Sequence, residues 1–163
     1  MRSSRVLMQG DAPVLPRPWL MAALMVIPLA AQAETVTGSR IFADFGFDPT
    51  VPEMAAAERA VPQLFAKAKA AGSPITVKVA RSDATILISL ESVAICERAK
   101  GCPLLVFREI GQKPVLVTSS FQNVIVDYRD KGTFLIIRVW DTTTECKVSN
   151  TAKAKCRQIP TPR

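Results

Sequence analysis

Histidine is absent from the 163-residue chain, and tyrosine occurs only once. Without histidine there is no Ser-His-Asp triad, no Cys-His dyad and no histidine-ligated metal or haem. The glycines are few and scattered, and none of them belongs to a phosphate-binding loop. These absences exclude most of the common catalytic and cofactor-binding arrangements.

The composition is that of one folded domain with an excess of positive charge. Hydrophobic residues make up 48% of the chain and charged residues 21%, and the formal net charge is +7. This apolar fraction is too high for a disordered chain, and the length suits a single domain with a core. The basic excess favours anionic partners.

Residues 1–33 have the three parts of a secretory signal peptide. Arginines precede an apolar stretch over 19–30, which is too short for a bilayer core of roughly 30 Å, since that needs about 20 residues. Small residues then flank Gln32, the pattern of a cleavage site. We expect cleavage between Ala33 and Glu34, a periplasmic or secreted location, and one mature domain over 34–163. The alternatives are an uncleaved membrane anchor and a cytosolic chain.

All four cysteines lie in the predicted mature part, and an even number in an exported chain predicts disulfides. Cys96–Cys102 and Cys146–Cys156 are the favoured pairs because each closes a short polar loop, and a crossed pairing is the alternative. The chain has no C-x-x-C motif, which disfavours both a zinc site and a redox-active pair. We therefore expect no metal and no cofactor.

The mature part predicts an α+β fold that begins with a short strand at 39–45 and an amphipathic helix over about 51–71. Thr50 and Glu53 match a capping box at the helix start, and Pro62 predicts a kink or a split. Beyond Pro74 the hydrophobic period becomes two, which predicts an antiparallel meander of five to six strands. The candidate strands are 75–80, 84–95, 104–110, 115–119, 123–129 and 133–140. A disulfide-stapled loop and a frayed tail over about 159–163 complete the prediction.

Several predicted strands are apolar on both faces, as in the segment 133–140. One helix cannot cover both faces of such a sheet. We therefore expect either a curled sheet or small sandwich, or a homodimer through the second apolar face.

The stretch from Cys96 to Cys156 begins Cys-x5-Cys-Pro and continues with apolar residues, a glycine turn and three further apolar segments. It resembles small exported bacterial proteins that place a Cys-x5-Cys staple before a β-meander. The resemblance covers only this part of the chain and implies no activity.

The candidate binding residues are basic and surround the two stapled loops. They are Arg98, Lys100, Lys147, Lys153, Lys155 and Arg157. A basic loop that a disulfide makes rigid suits an envelope protein or an anionic envelope component, and the alternative is a solvated surface that keeps the protein soluble. Trp140, at a strand end, is a candidate anchor for a partner, but core packing is the interpretation that we favour for it. We expect no nucleic-acid partner because the compartment is unsuitable and few aromatic residues are available to stack on bases.

These observations predict a small exported protein with a non-catalytic binding or accessory role in the cell envelope. The alternative is a secreted or periplasmic inhibitor of an envelope enzyme. A hydrolase using carboxylates or a free thiol ranks third, with the acids Asp44, Asp48, Glu53 and Glu58 as the densest group.

Overall fold

The computed structural model describes residues 38–83, 85–149 and 153–161, and within these ranges it has two helices and nine strands, an α+β fold. The predicted signal peptide and its cleavage site lie outside the described residues. The elements are β1 (Gly38–Phe42), α1 (Val51–Ala60), α2 (Pro62–Ala70), β2 (Thr76–Arg81), β3 (Ile86–Glu91), β4 (Cys102–Phe107), β5 (Leu116–Ser120), β6 (Val124–Arg129), β7 (Gly132–Val139), β8 (Thr142–Val148) and β9 (Lys155–Ile159). In this part of the chain no helix has the length and hydropathy needed to cross a membrane.

Local hydrogen bonding and proline geometry determine where the helical segment begins and where it breaks. At its start, the Thr50 backbone N–H and hydroxyl both donate to Glu53 Oε2, each over 2.7 Å. It divides into α1 and α2 at Val61, because Pro62 has no N–H to donate and its ring clashes with the preceding turn. The predicted break at Pro62 is therefore confirmed.

The end of α2 is a Schellman motif. Gly72 has a φ of +62°. Its N–H donates to the carbonyl of Lys69, and the N–H of Ser73 donates to the carbonyl of Ala68, each over 3.0 Å. Glycine suits this position because a side chain would strain the left-handed backbone.

The strands form two antiparallel sheets rather than one. The first sheet is a meander in the order β2-β3-β4-β5, and the second has the order β1-β6-β7-β8-β9. The chain passes from one sheet to the other between β5 and β6, and β1 pairs with β6 from the far end of the sequence. The two sheets are not closed into a barrel.

The four-stranded sheet is the middle of three layers. One face, with Leu104 and Val106, packs against Val126 and Leu135 of the five-stranded sheet. The other face, with residues such as Phe107, packs against α1 and α2. Coverage on both sides explains why strands of this sheet such as β4 are apolar on both faces, and the packing of the two sheets confirms the predicted small sandwich.

The outer face of the five-stranded sheet differs from the face that the homodimer prediction assumed. Phe134 and Ile136 of β7 are half-buried there, but Asp127, Glu145 and Arg157 lie on the same face. It is therefore a mixed, charged face rather than a continuous apolar one. The homodimer stays a prediction without that support.

Both predicted disulfides are confirmed, but the region around the second one is not a loop. Cys146 of β8 lies directly opposite Cys156 of β9 in an antiparallel ladder. The sequence prediction missed both strands because their residues are mostly polar. The meander of five to six strands is thus corrected to nine strands in two sheets. The chain is held as far as Thr161, whose hydroxyl donates to the Asp141 carbonyl over 2.6 Å.

Candidate functional site

The predicted basic residues divide between the two sheets. Arg98 and Lys100 are exposed in the turn that the Cys96–Cys102 disulfide closes at the head of β4. Lys100 Nζ pairs with Glu97 Oε2 over 2.8 Å. The turn is fixed at Gly101, which has a φ of +87° and lies so close to the Ser120 carbonyl that a Cβ would clash with it.

The other four cations surround the second disulfide, and three of them are on the β8–β9 ladder. Lys147 lies directly opposite Lys155, and Glu145 lies directly opposite Arg157. Lys153 is exposed just before β9. These four cations are called the β8–β9 basic surface below. Lys147, Lys155 and Arg157 line a hollow of about 240 Å³ together with Phe134 and Glu145.

Two buried carboxylates lie beside this surface on the outer face of the sheet. Asp127 is 0% exposed and Glu145 is 5% exposed. Asp127 Oδ2 accepts from Arg40 Nε over 3.1 Å and from Arg129 Nη2 over 2.7 Å. Glu145 accepts from Arg129 and Arg157, each over 2.7 Å. The arginines and carboxylates thus form a continuous ladder across the face.

The ladder keeps Glu145 ionised. Burial acts to raise the pKa of this carboxyl, but hydrogen bonds from Arg157 and Arg129 outweigh burial and leave the pKa below its usual value. The ladder is called the arginine–carboxylate ladder below. Sequence reasoning found only its Arg157, since the other members meet through strand register rather than through any local motif.

The lysines of the β8–β9 basic surface have no such neutralisation. Among the described residues, the salt bridges of this region join arginines to Asp127 and Glu145, and none includes Lys147, Lys153 or Lys155. The Lys147 ammonium lies 5.8 Å from the centre of the Phe134 ring. Like charges directly opposite on neighbouring strands repel each other, so the Lys147–Lys155 pair is destabilising. Positive charge is therefore left unbalanced beside the hollow.

Trp140 is not a core residue. It is 68% exposed and occupies the two-residue turn between β7 and β8. Its ring meets Phe121 edge to face, with ring centres 5.5 Å apart. The anchor interpretation of Trp140 is the one that this exposure favours, and Trp140 and Phe121 together form an exposed aromatic pair.

Glu53 and the four cysteines, which were considered for catalysis, have other partners. Glu53 is buried and accepts from Arg81 over 2.7 Å. That hydrogen bond, with others from Thr50, lowers the pKa of Glu53 to about 2. All four cysteines are in disulfides. Within the described ranges, no group of three or more Cys, Asp or Glu side chains is arranged to hold a metal ion.

Comparison with known proteins finds no matching family model, no matching curated protein and no matching solved structure. The two disulfides are compatible with an oxidising compartment outside the cytoplasm. A functional assignment therefore rests on the surfaces described above.

Proposed function

We propose that the chain is exported to the periplasm or beyond, and acts there as a non-catalytic binding protein for a phosphate-bearing envelope component. The β8–β9 basic surface takes the anion. One observation carries the proposal: Lys147 and Lys155 lie directly opposite each other beside the hollow, and among the described residues neither forms a salt bridge with a carboxylate. A bound phosphate group would relieve the repulsion between the two ammonium groups, and its oxygens would accept hydrogen bonds from both of them.

The neighbouring ladder supports this assignment because it prepares the surface for an anion. Glu145 lines the hollow, and an unpaired carboxylate there would repel phosphate. Arg129 and Arg157 bind both of its oxygens, so its charge is already balanced. The Cys146–Cys156 disulfide joins the two strands between these groups and keeps the lysines in place.

The experiment measures association of the full-length expressed protein, recovered without reductant, with two phosphate-bearing probes. The first is vesicles of phosphatidylglycerol and phosphatidylethanolamine, and the second is soluble inorganic polyphosphate. Binding to both indicates that the phosphate chemistry suffices, whereas binding to vesicles alone indicates a membrane surface. A mass equal to that of residues 34–163 with both disulfides formed checks the export step.

The variant that tests the surface replaces Lys147, Lys153 and Lys155 by Gln. The matched control replaces Lys67, Lys69 and Lys113, which are also exposed, so that both variants lose the same charge. We expect the first variant to bind about 100-fold more weakly, at about 1 kcal/mol per lysine, and the control to bind nearly as the parent does. Parent binding should fall as salt rises from about 0.05 to about 0.5 M.

Equal losses in the two variants would show that net charge alone drives association, and the proposed surface would be wrong. The absence of binding to both probes would contradict the proposal as a whole.

A further inference from the structure

A second concave site lies in the four-stranded sheet, beside the Cys96–Cys102 disulfide. It is a cleft of about 620 Å³ at the ends of β3 and β5. Glu91, Val93 and Phe121 are among its lining residues, and both cysteines of the disulfide form part of the wall. The volume is in the range of sites that hold small molecules.

The polar groups of the cleft suit a ligand that both donates and accepts hydrogen bonds. The Gln122 amide donates to Glu91 Oε1, which brings two planar side chains together on one wall. Ser120 is 2% exposed, and its hydroxyl has no hydrogen-bond partner among the described residues. Glu91 is the one charged residue among the lining residues described, and its carboxylate disfavours an anionic ligand.

The rim of the cleft is aromatic at Phe121, and Trp140 adjoins this residue without itself lining the cleft. Phe121 lines the cleft and is 45% exposed, and Trp140 packs edge to face against it while remaining 68% exposed. Val93, also on the wall, is almost fully exposed. Such a combination offers an apolar platform beside a hydrogen-bonding wall.

The backbone holds this rim in a costly conformation. Among the described residues, only Gln122 and Trp140 have a positive φ without being glycine, at 63° and 52°. Two-residue hairpin turns such as the one at Trp140 favour glycine or asparagine at this position. A hydrogen bond from the Arg138 N–H to the Asn123 carbonyl, over 3.1 Å, joins the strand that leads to Trp140 to the β5–β6 connection that contains Gln122. Strain of this kind persists where the surrounding structure imposes it and is common at ligand sites.

We propose that this cleft binds a neutral oligosaccharide. A pyranose ring has an apolar face of C–H groups and edges of hydroxyl groups, and the cleft offers a partner for each. The exposed ring of Trp140, beside Phe121, covers the C–H face, while Glu91 and Gln122 meet the hydroxyl groups. This site is separate from the β8–β9 basic surface and does not depend on it.

The test is isothermal titration calorimetry of the full chain with three neutral tetrasaccharides. They are the β-1,4-linked tetramers of N-acetylglucosamine and of glucose, and the α-1,4-linked tetramer of glucose. We expect at least one of them to bind, and to bind equally well at low and high salt. In a chain carrying Trp19→Phe, Trp140 is the only tryptophan, so its fluorescence should change on binding.

Two variants separate recognition from folding. Trp140→Asn should weaken binding about tenfold or more, as loss of a central aromatic anchor does, and should keep or raise Tm because asparagine tolerates the positive φ. The matched control is Phe42→Ala, which removes an exposed aromatic ring from β1. It should bind as the parent does.

Failure of all three tetrasaccharides to bind at millimolar concentration would overturn the proposal. Parent-like binding by Trp140→Asn would overturn it too. Since the Lys147, Lys153 and Lys155 variant retains the cleft, its loss of phosphate binding with unchanged sugar binding would show that the two sites are independent.

Discussion

The four-stranded and five-stranded sheets are built from similar antiparallel hairpins, but they differ in what covers them. The four-stranded sheet has α1 and α2 on one face and the five-stranded sheet on the other. Among the described residues, nothing packs as a layer on the outer face of the five-stranded sheet, and that face carries the arginine–carboxylate ladder. Apolar residues concentrate where both faces are covered, and charged groups occupy the face that is open.

The largest effect on the unfolding free energy should come from truncating one isoleucine in each sheet to alanine. Ile88 of β3 is 0% exposed and contacts the helix-facing core, whereas Ile136 of β7 is half-buried on the outer face. We expect Ile88→Ala to cost about 3–4 kcal/mol of unfolding free energy and Ile136→Ala about 1 kcal/mol. Urea unfolding measures both. Equal losses would mean that the outer face is covered in solution, for instance by a second copy of the chain.

The disulfides allow a second comparison, since one lies in each sheet. Replacing both cysteines of a pair by Ser should cost about 2–3 kcal/mol in either case, because the closed loops are similarly short. The local consequence should differ. Strand β9 pairs with β8 alone, so loss of Cys146–Cys156 should expose the β9 amides to rapid hydrogen exchange. Loss of Cys96–Cys102 should leave β4 protected, because β3 and β5 flank it. Unchanged protection in β9 would show that the ladder does not need its disulfide.

The smallest of the three effects concerns two buried carboxylates. The pKa of Glu53 falls from 4.5 to about 2, chiefly through the hydrogen bond from Arg81. Its ionised form therefore stabilises the fold above about pH 4.5, and this contribution is lost as the pH falls toward 2. Because Arg81 is partly exposed and water screens its pair with Glu53, we expect Glu53→Gln to remove about 2 kcal/mol of this acid-sensitive stability.

Glu145→Gln is the matched variant for the outer face. The pKa of the Glu145 carboxyl is also lowered, so its ionised form likewise stabilises the fold and this stability is lost at acid pH. Its partner Arg157 is largely exposed, however, and water screens that pair. We expect Glu145→Gln to reduce the pH dependence of the unfolding free energy at acid pH less than Glu53→Gln does. Urea unfolding from about pH 2 to about pH 7 gives both curves. A larger effect at Glu145 would mean that the ladder contributes more to stability than the helix start.

Local signals in the sequence predicted the local features well. Thr50 and Glu53 marked the start of α1, and Pro62 marked the break before α2. The pairing of the cysteines followed from short separations along the chain. Each of these features depends on residues that are near one another in sequence, so steric and hydrogen-bonding rules suffice to predict them.

The same reasoning failed at β8 and β9, where the strands are polar and were interpreted as a loop. Thr142–Val148 has no clean hydrophobic alternation, because its first three residues are all threonine. Binary patterning therefore assigned the wrong character to this segment. Four of the six predicted basic residues lie in this region, but the pairing of Arg129 and Arg157 with Glu145 could not be found without strand register.

The amino-acid sequence was sufficient for the helix boundaries, the disulfide pairing, the basic character and the α+β class, because these follow from composition and short-range chemistry. Strand register and sheet packing were needed for the rest. They bring Arg40, Asp127, Arg129 and Glu145 into one ladder, although these residues are spread over three strands from distant parts of the chain. They also place Phe121 against Trp140 at the rim of the cleft. Contacts between distant segments depend on which faces pack together, and no local pattern specifies that choice.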